Sequence, residues 1–319
     1  MAGFFTITPI GPDIPGTGGA WADLDLSGYI PSGANGIVGL FNHKDANAVG
    51  YGFRKKGSTD DRRARSSGRI LAGVIVGCDA NRVIQYNSNS SFNQTLYVFG
   101  YTKAPDVVIG TDGVPLTPSV GSWQTVDLSV QCPGAIGIIL EVYNSATGFN
   151  TFGARMNGSS DNRTSGTYGH NAHDIVIGCD ASQLIQLFRG ATSIGFYIRG
   201  YITANAVFNQ NADEYIPTVL DTWEEKTIPT GKIEIYKQSG QYGTPRFWLV
   251  GYALSDICFF EMEDASGWGD TNVGIRKKND TLVDTNLTYY HPWFNSQILG
   301  AGGAPGGGHI ARRLLRGAI

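Results

Sequence analysis

Apolar residues along this chain come in short runs, cut at close intervals by glycine, serine, asparagine, aspartate or proline. From Trp21 to Lys103 the runs cover 21–30, 36–42, 49–54, 70–77, 82–87 and 95–102, each the length of a strand. In Leu96-Tyr97-Val98-Phe99 β-branched and aromatic residues dominate, as a half-buried pleated surface requires. No long amphipathic run points to a helix. The pattern predicts an all-β chain with many turns.

The runs also repeat. Gly77-Cys78-Asp79-Ala80 returns as Gly178-Cys179-Asp180-Ala181, 101 positions later. WADLDLS at 21–27 returns as WQTVDLS at 123–129, GSTDDR at 57–62 as GSSDNR at 158–163, and Gly52-Phe53-Arg54 as Gly153-Ala154-Arg155. Landmarks that keep one order and one period mark tandem copies of a domain. The chain divides into an N-terminal arm (1–20), a first repeat (21–103), a linker (104–122), a second repeat (123–203), a second linker (204–222), a third repeat (223–298) and a tail (299–319). The arm and the first linker are assigned on their proline and glycine content, with 104–122 read as a linker or an edge-strand crossing, and the second linker is assigned on its similar length.

The third repeat keeps the opening tryptophan, Trp223, but changes the order that follows. Phe247-Trp248-Leu249-Val250-Gly251-Tyr252, which resembles the end of the earlier units, precedes the segment 257–281, which resembles their middle. This reads as a circularly permuted copy, which a sandwich with adjacent chain ends tolerates. The fold expected is tandem antiparallel β-sandwiches, jelly-roll-like, with a permuted third copy.

Composition narrows the function. Glycine accounts for 44 of 319 residues, charged residues for 16%, and the net charge is −3, so no nucleic-acid partner is expected. No apolar stretch is long enough to span a membrane as a helix. The start, MAGFFTITPIGPD, lacks the basic and apolar regions of a signal peptide, which suggests a chain made in a reducing cytosol. Cys78 and Cys179 sit beside apolar runs at matching positions, and Cys132 and Cys258 have no match. Buried free thiols are the expectation, and no metal or other cofactor is implied. The paired carboxylates Asp60-Asp61 and Glu224-Glu225 are adjacent in sequence, so on a strand they would face opposite sides. With no nucleophile or zinc motif either, the chain is not expected to be an enzyme.

The polar element shared by the repeats is an arginine followed by a loop: FRKKGSTDDR (53–62), ARMNGSSDNR (154–163) and IRKKNDT (275–281). Glycine and Asx residues suit a tight turn, and neighbouring Asp and Arg can order it as an ion pair. The sharper reading makes it a ligand loop for a sugar or a partner, with Arg54, Asp60, Arg62, Arg155, Asp161, Arg163 and Arg276 as its residues. Tyr51, Phe149 and Trp268 could then form a platform, although their positions suit a core equally. Each opening tryptophan is expected to pack on its sandwich core or to seal a linker against it, with ligand stacking as the alternative. At the other end of the chain, LGAGGAPGGGH (299–309) reads as a flexible tether. It carries Arg312, Arg313, Leu314, Leu315 and Arg316, read as about two helical turns that dock into a neighbouring subunit, with a disordered tail as the alternative.

Together, the tryptophan-led Asp-Leu-Ser strand, the Gly-x-Arg-Lys loop, the Gly-Cys-Asp-Ala strand end and a closing Gly-Tyr strand resemble repeated β-sandwich modules of bacteriophage head-decoration, fibre and tail proteins. The resemblance covers 21–203 and, in shuffled order, 223–281. It implies a virion component assembled in the host cytoplasm, in contact with other virion proteins and forming a homo-oligomer, with a trimer favoured. The alternative it leaves open is a host-attachment protein that binds a surface glycan through the arginine loops.

Overall fold

A computed structural model describes residues 4–43, 49–66, 70–89, 94–167, 170–220, 222–229, 231–237, 246–254, 257–264, 273–277 and 309–316. All regular structure in it is β. The first sandwich holds β1 (Phe4–Ile10), β2 (Asp13–Ile14), β3 (Trp21–Asp25), β4 (Gly36–His43), β5 (Val49–Lys55), β6 (Ala64–Ser66), β7 (Ile70–Gly77), β8 (Val83–Ser88) and β9 (Gln94–Thr102). One sheet runs β1-β9-β4-β7, with β2 also on β9, and the other runs β3-β8-β5-β6. The second comprises β10 (Val107–Leu116), β11 (Trp123–Asp127), β12 (Gly137–Asn144), β13 (Asn150–Met156), β14 (Ser165–Thr167), β15 (Ala172–Gly178), β16 (Leu184–Arg189) and β17 (Ile194–Ile202). Its sheets are β10-β17-β12-β15 and β11-β16-β13-β14, the same plan.

The third sandwich comprises β18 (Ala206–Tyr215), β19 (Glu224–Ile228), β20 (Gly231–Lys237), β21 (Arg246–Ala253), β22 (Ile257–Asp264), β23 (Val273–Lys277) and β24 (His309–Arg316). Its sheets are β18-β21-β22-β24 and β19-β20-β23. Matched by sheet position, β20 and β21 stand where β16 and β17 stand in the second sandwich, yet they come before β22 and β23 in the chain. The rearrangement expected from the sequence is present in modified form. The first two strands keep their place, and the two blocks behind them have exchanged order.

Three expected boundaries change. The segments read as arm and linkers carry β1, β10 and β18, each an edge strand paired antiparallel with β9, β17 or β21 of its own sandwich. Their irregular composition has a local cause. Each strand breaks register, between Thr6 and Ile10, Ile109 and Val114, and Phe208 and Asp213. Pro9 and Pro115 are tolerated because an edge strand can spare a donor. The C-terminal segment is likewise not helical. β24 pairs with β22 from Ile257↔Arg316 to Asp264↔His309, so Arg312, Arg313, Leu314, Leu315 and Arg316 complete a sheet of their own chain. An open strand edge offers a row of unpaired backbone groups, a stronger template for this peptide than an isolated short helix. The third sandwich therefore extends past 298, while the glycine-rich tether lies outside the described residues.

Each of the two longer sandwiches has its own core, one built on Ile37, Phe41, Val74, Val76 and Ile84, the other on Ile138, Leu140, Ile175, Ile177 and Ile185. A smaller core around Ile233, Ile235, Phe247 and Phe260 serves the third. The alternate residues of the same strands face the other way and meet in a fourth cluster. Val38 and Ile75 of the first sandwich join Ile139 and Val176 of the second and Phe259 and Ile257 of the third. Val38, Ile139 and Phe259 are equivalent, since each pairs with the glycine at the bulge of its neighbour strand, Gly100, Gly200 or Gly251. Burial on both faces explains why Val74-Ile75-Val76 and Ile175-Val176-Ile177 are continuously apolar.

Each sandwich touches the other two around this shared core. Ile109 of β10 packs on Gly36 and Gly77 of the first sandwich, where added Cβ atoms would stand 3.3 and 2.6 Å from its side chain. Phe208 of β18 packs on Gly137 and Gly178 of the second, at 2.3 and 2.5 Å by the same measure. Phe4 meets Phe259 edge to face at 5.6 Å and brings the third sandwich back to the first. The result is a threefold-like arrangement within one chain.

Candidate functional site

The arginine loops begin at the end of β5 and of β13. Each turns through a glycine with positive φ, Gly57 at 86° and Gly158 at 80°. Each closes with a backbone bond, Ser58 N to Lys55 O at 3.0 Å and Ser159 N to Met156 O at 3.1 Å. Left-handed backbone favours glycine here, so the turn chemistry accounts for part of the repeat.

The leading arginine is turned inward. Arg54 donates from Nε to Gln85 Oε1 at 2.9 Å and from Nη1 to Asp60 O at 2.6 Å, with its guanidinium 4.1 Å over the Trp21 ring. Trp21 Nε1 donates to Asp61 Oδ1 at 2.7 Å. Arg155 repeats this with Gln186 at 2.8 Å, with Asp161 O, and over Trp123 at 4.1 Å, while Trp123 Nε1 donates to Asn162 Oδ1 at 2.6 Å. The tryptophans lie across Gly52 and Gly153, where a Cβ would stand 2.8 and 2.5 Å from the ring. Tryptophan, glycine, arginine and glutamine form one latch that fixes the root of the loop.

The loop tip faces the next sandwich. Ser58 Oγ and the Thr59 and Asp60 amides all donate to Asp112 Oδ1, at 2.6, 2.7 and 3.3 Å, and Asp60 Oδ2 accepts from Gly113 N at 2.7 Å. The hydrogen bonds from Ser58 and Thr59 hold the Asp112 carboxyl below its ordinary range. In the second repeat Ser159 Oγ and Ser160 N donate to Asn211 Oδ1, both at 2.9 Å, and Asp161 Oδ2 accepts from Ala212 N at 2.9 Å. Asp112 and Asn211 occupy the register breaks of β10 and β18. Each loop therefore grips the irregular edge strand of the following repeat.

The second arginine of each loop lies in the seam. Arg62 pairs with Asp60 at 2.8 Å and Glu141 at 3.1 Å and lies 3.8 Å over the Tyr197 ring. Arg199 of β17 adds an ion pair to Glu141 and a longer one to Asp60 at 3.7 Å. At the second seam Arg163 pairs with Asp161 at 2.9 Å and lies 4.7 Å over Trp248. Trp248 faces Glu261 in the ladder as Tyr197 faces Glu141, while Val250 takes the place of Arg199. The third loop arginine, Arg276, is set on β23 in register with Glu234, where the earlier repeats have Gln85 and Gln186. Its side chain and the loop beyond it lie outside the described residues.

No family model matches this chain, and no curated protein does. Among solved structures, the crystal structure of the STIV major capsid protein aligns with a TM-score of 0.27 at 10% identity, over 63% of this chain and 97% of that one. The tandem CBM22-1–CBM22-2 domains of Paenibacillus barcinonensis Xyn10C align with a TM-score of 0.17 at 11% identity, over 57% of this chain and 82% of that one. Scores this low carry no argument about fold or function.

Six of the seven expected ligand residues are thus brought into two latches and two seams. The aromatic platform is not assembled from them. Tyr51 is buried and stacks on Phe41 at 4.7 Å, Phe149 is 37% exposed beside Gly166, and Trp268 lies outside the described residues. His173 stacks on Phe152 at 6.1 Å. All four cysteines are buried and none forms a disulfide, and desolvation pushes the Cys78 and Cys179 thiols up to about 11. Among the described residues no cluster of three His, Cys, Asp or Glu side chains could hold a metal. Sequence reasoning missed Asp112, Asn211, Glu141, Asp174 and Arg199. Glu141 carried a usable signal, a carboxylate set between Leu140 and Val142 in an otherwise apolar run that starts at Ile138.

Proposed function

We propose that this chain is a structural component of a virus particle, a phage head-decoration, fibre or tail protein that acts without catalysis through subunit contacts and surface display. The observation that carries this reading is the use of the shared loops. In the two described copies, the tip of the shared polar loop spends its donors and acceptors on the adjoining sandwich. A loop kept for a soluble ligand would leave those groups free for the ligand. The shared apolar core adds support, because it joins the three sandwiches through one buried cluster and so holds the surfaces they display in fixed relation. In this reading the virion is the place of action and assembly occurs in the host cytoplasm.

The test is whether the protein travels with particles. Purified virions resolved on a density gradient are expected to contain the chain at fixed stoichiometry. Its absence from every particle fraction would overturn this reading, and glycan-array binding by particle-borne protein that disappears in a still-folded Arg54→Ala variant would favour the attachment reading instead.

A further inference from the structure

The seam between the first two sandwiches differs from the seam between the second and third in its charges. It holds Asp60 and Arg62 from the loop after β5, Glu141 from β12, Asp174 from β15 and Arg199 from β17, and all of these but Asp60 line a small cavity together with Tyr51, Gly73 and His173. That is three carboxyl groups against two guanidinium groups. Glu141 and Asp174 face each other directly across the β12–β15 ladder. Like charges directly opposed on neighbouring strands repel. Asp174 also reaches out of its own sandwich, where its Oδ2 accepts from Ile75 N of β7 at 2.8 Å. β7 is the edge strand of the first sandwich, so this carboxyl group ties one domain to the other. The equivalent positions are Gly73 in the first sandwich and Arg312 in the third, so neither repeats the device.

The geometry points to a proton-sensitive clamp: Asp174 holds the first two sandwiches together in its protonated form, and loss of its proton beside Glu141 loosens the seam. The groups facing Asp174 are Arg199, Glu141 and Arg62, with Asp60 bonded to both arginines, Tyr51 on β5 and the Ile75 amide on β7. β24, which packs on β15, also carries Arg312, Arg313 and Arg316. Asp174 keeps some surface toward the cavity, but protein encloses its carboxyl group. Burial raises that carboxyl to about 7; Arg199 opposes the shift, Glu141 adds to it, and the Ile75 amide and Arg62 oppose it. The closed seam therefore binds a proton that the open seam releases. The stability it contributes is full below the ordinary value of 3.8, is lost as pH rises toward 7, and changes no further above that.

The experiment uses the full chain and follows hydrogen exchange at β7, corrected for intrinsic rate, from pH 5 to pH 8. One linked proton raises the seam-opening constant by at most about tenfold per pH unit, with a plateau above the titration. Asp174→Asn keeps an acceptor for Ile75 and is expected to flatten the profile. A wild-type profile already flat, or one unchanged in Asp174→Asn, overturns the clamp. Carboxyl carbon NMR on the wild type decides the matter if the variant does not fold. An aspartate resonance titrating near pH 7 is expected, and none titrating above about pH 6 overturns the proposal.

Discussion

At the scale of single residues, the same side chains that look suited to a ligand are occupied in fixing the chain to itself. Arg54 and Arg155 use a planar fork, a stacking face and two directed donors at once. Lysine cannot reproduce that combination. Arg54→Lys is expected to lower the midpoint of thermal unfolding and to speed proteolysis at 57–62, while Lys103→Arg, remote from the latch, changes neither. The buried thiols give a second check. All four cysteines should resist a thiol reagent in the folded protein and react on unfolding, because burial disfavours the thiolate of Cys78 and Cys179. Cys78 and Cys179 were legible from sequence as core residues beside apolar runs, and the structure has each thiol donating to a backbone carbonyl, of Ala34 and Ala135. The target of the loops was not legible. Asp112 stands in a proline-rich segment that reads as a linker or an edge-strand crossing and Asn211 in one that reads as a linker from its length, and nothing local marks the register break at which each acts.

At the scale of strands, size complementarity orders the sandwiches. Ile109 and Phe208 enter sites kept open by paired glycines, Gly36 with Gly77 and Gly137 with Gly178. In the third sandwich the matching pair is Ile257 and Arg316. Gly178→Val is expected to destabilise the protein by about 1–3 kcal/mol in chemical denaturation, since the added atoms meet Phe208 and Met156. If Gly178→Val unfolds at the same denaturant concentration as the wild type, the close approach is not present in solution. β24 supplies a different test. Truncation before His309 uncovers the edge of β22, and an uncovered edge invites pairing with other chains. The truncated protein is expected to aggregate on sizing columns where the full chain does not. Alternation of apolar and polar residues revealed most strands, and the repeat revealed the exchanged blocks. The terminal strand was hidden because adjacent leucines and arginines in His309–Arg316 fit a helical period as well as an extended one, and only pairing with β22 decides between them.

At the scale of the whole molecule, the three repeats form one body instead of three domains on linkers. The segments taken for linkers are strands, the loops grip the following repeat, and Phe4 against Phe259 closes the arrangement. Such a body can serve as a building block of a larger particle because its surfaces keep fixed relative positions. Small-angle X-ray scattering of the full chain, collected on the single-chain peak of a sizing column, tests this most directly. A compact protein of 319 residues has a radius of gyration of about 20 Å. One compact body is expected to give a value close to that, with a single-peaked distance distribution. A value above about 30 Å, with separate maxima for repeats strung along linkers, would contradict it.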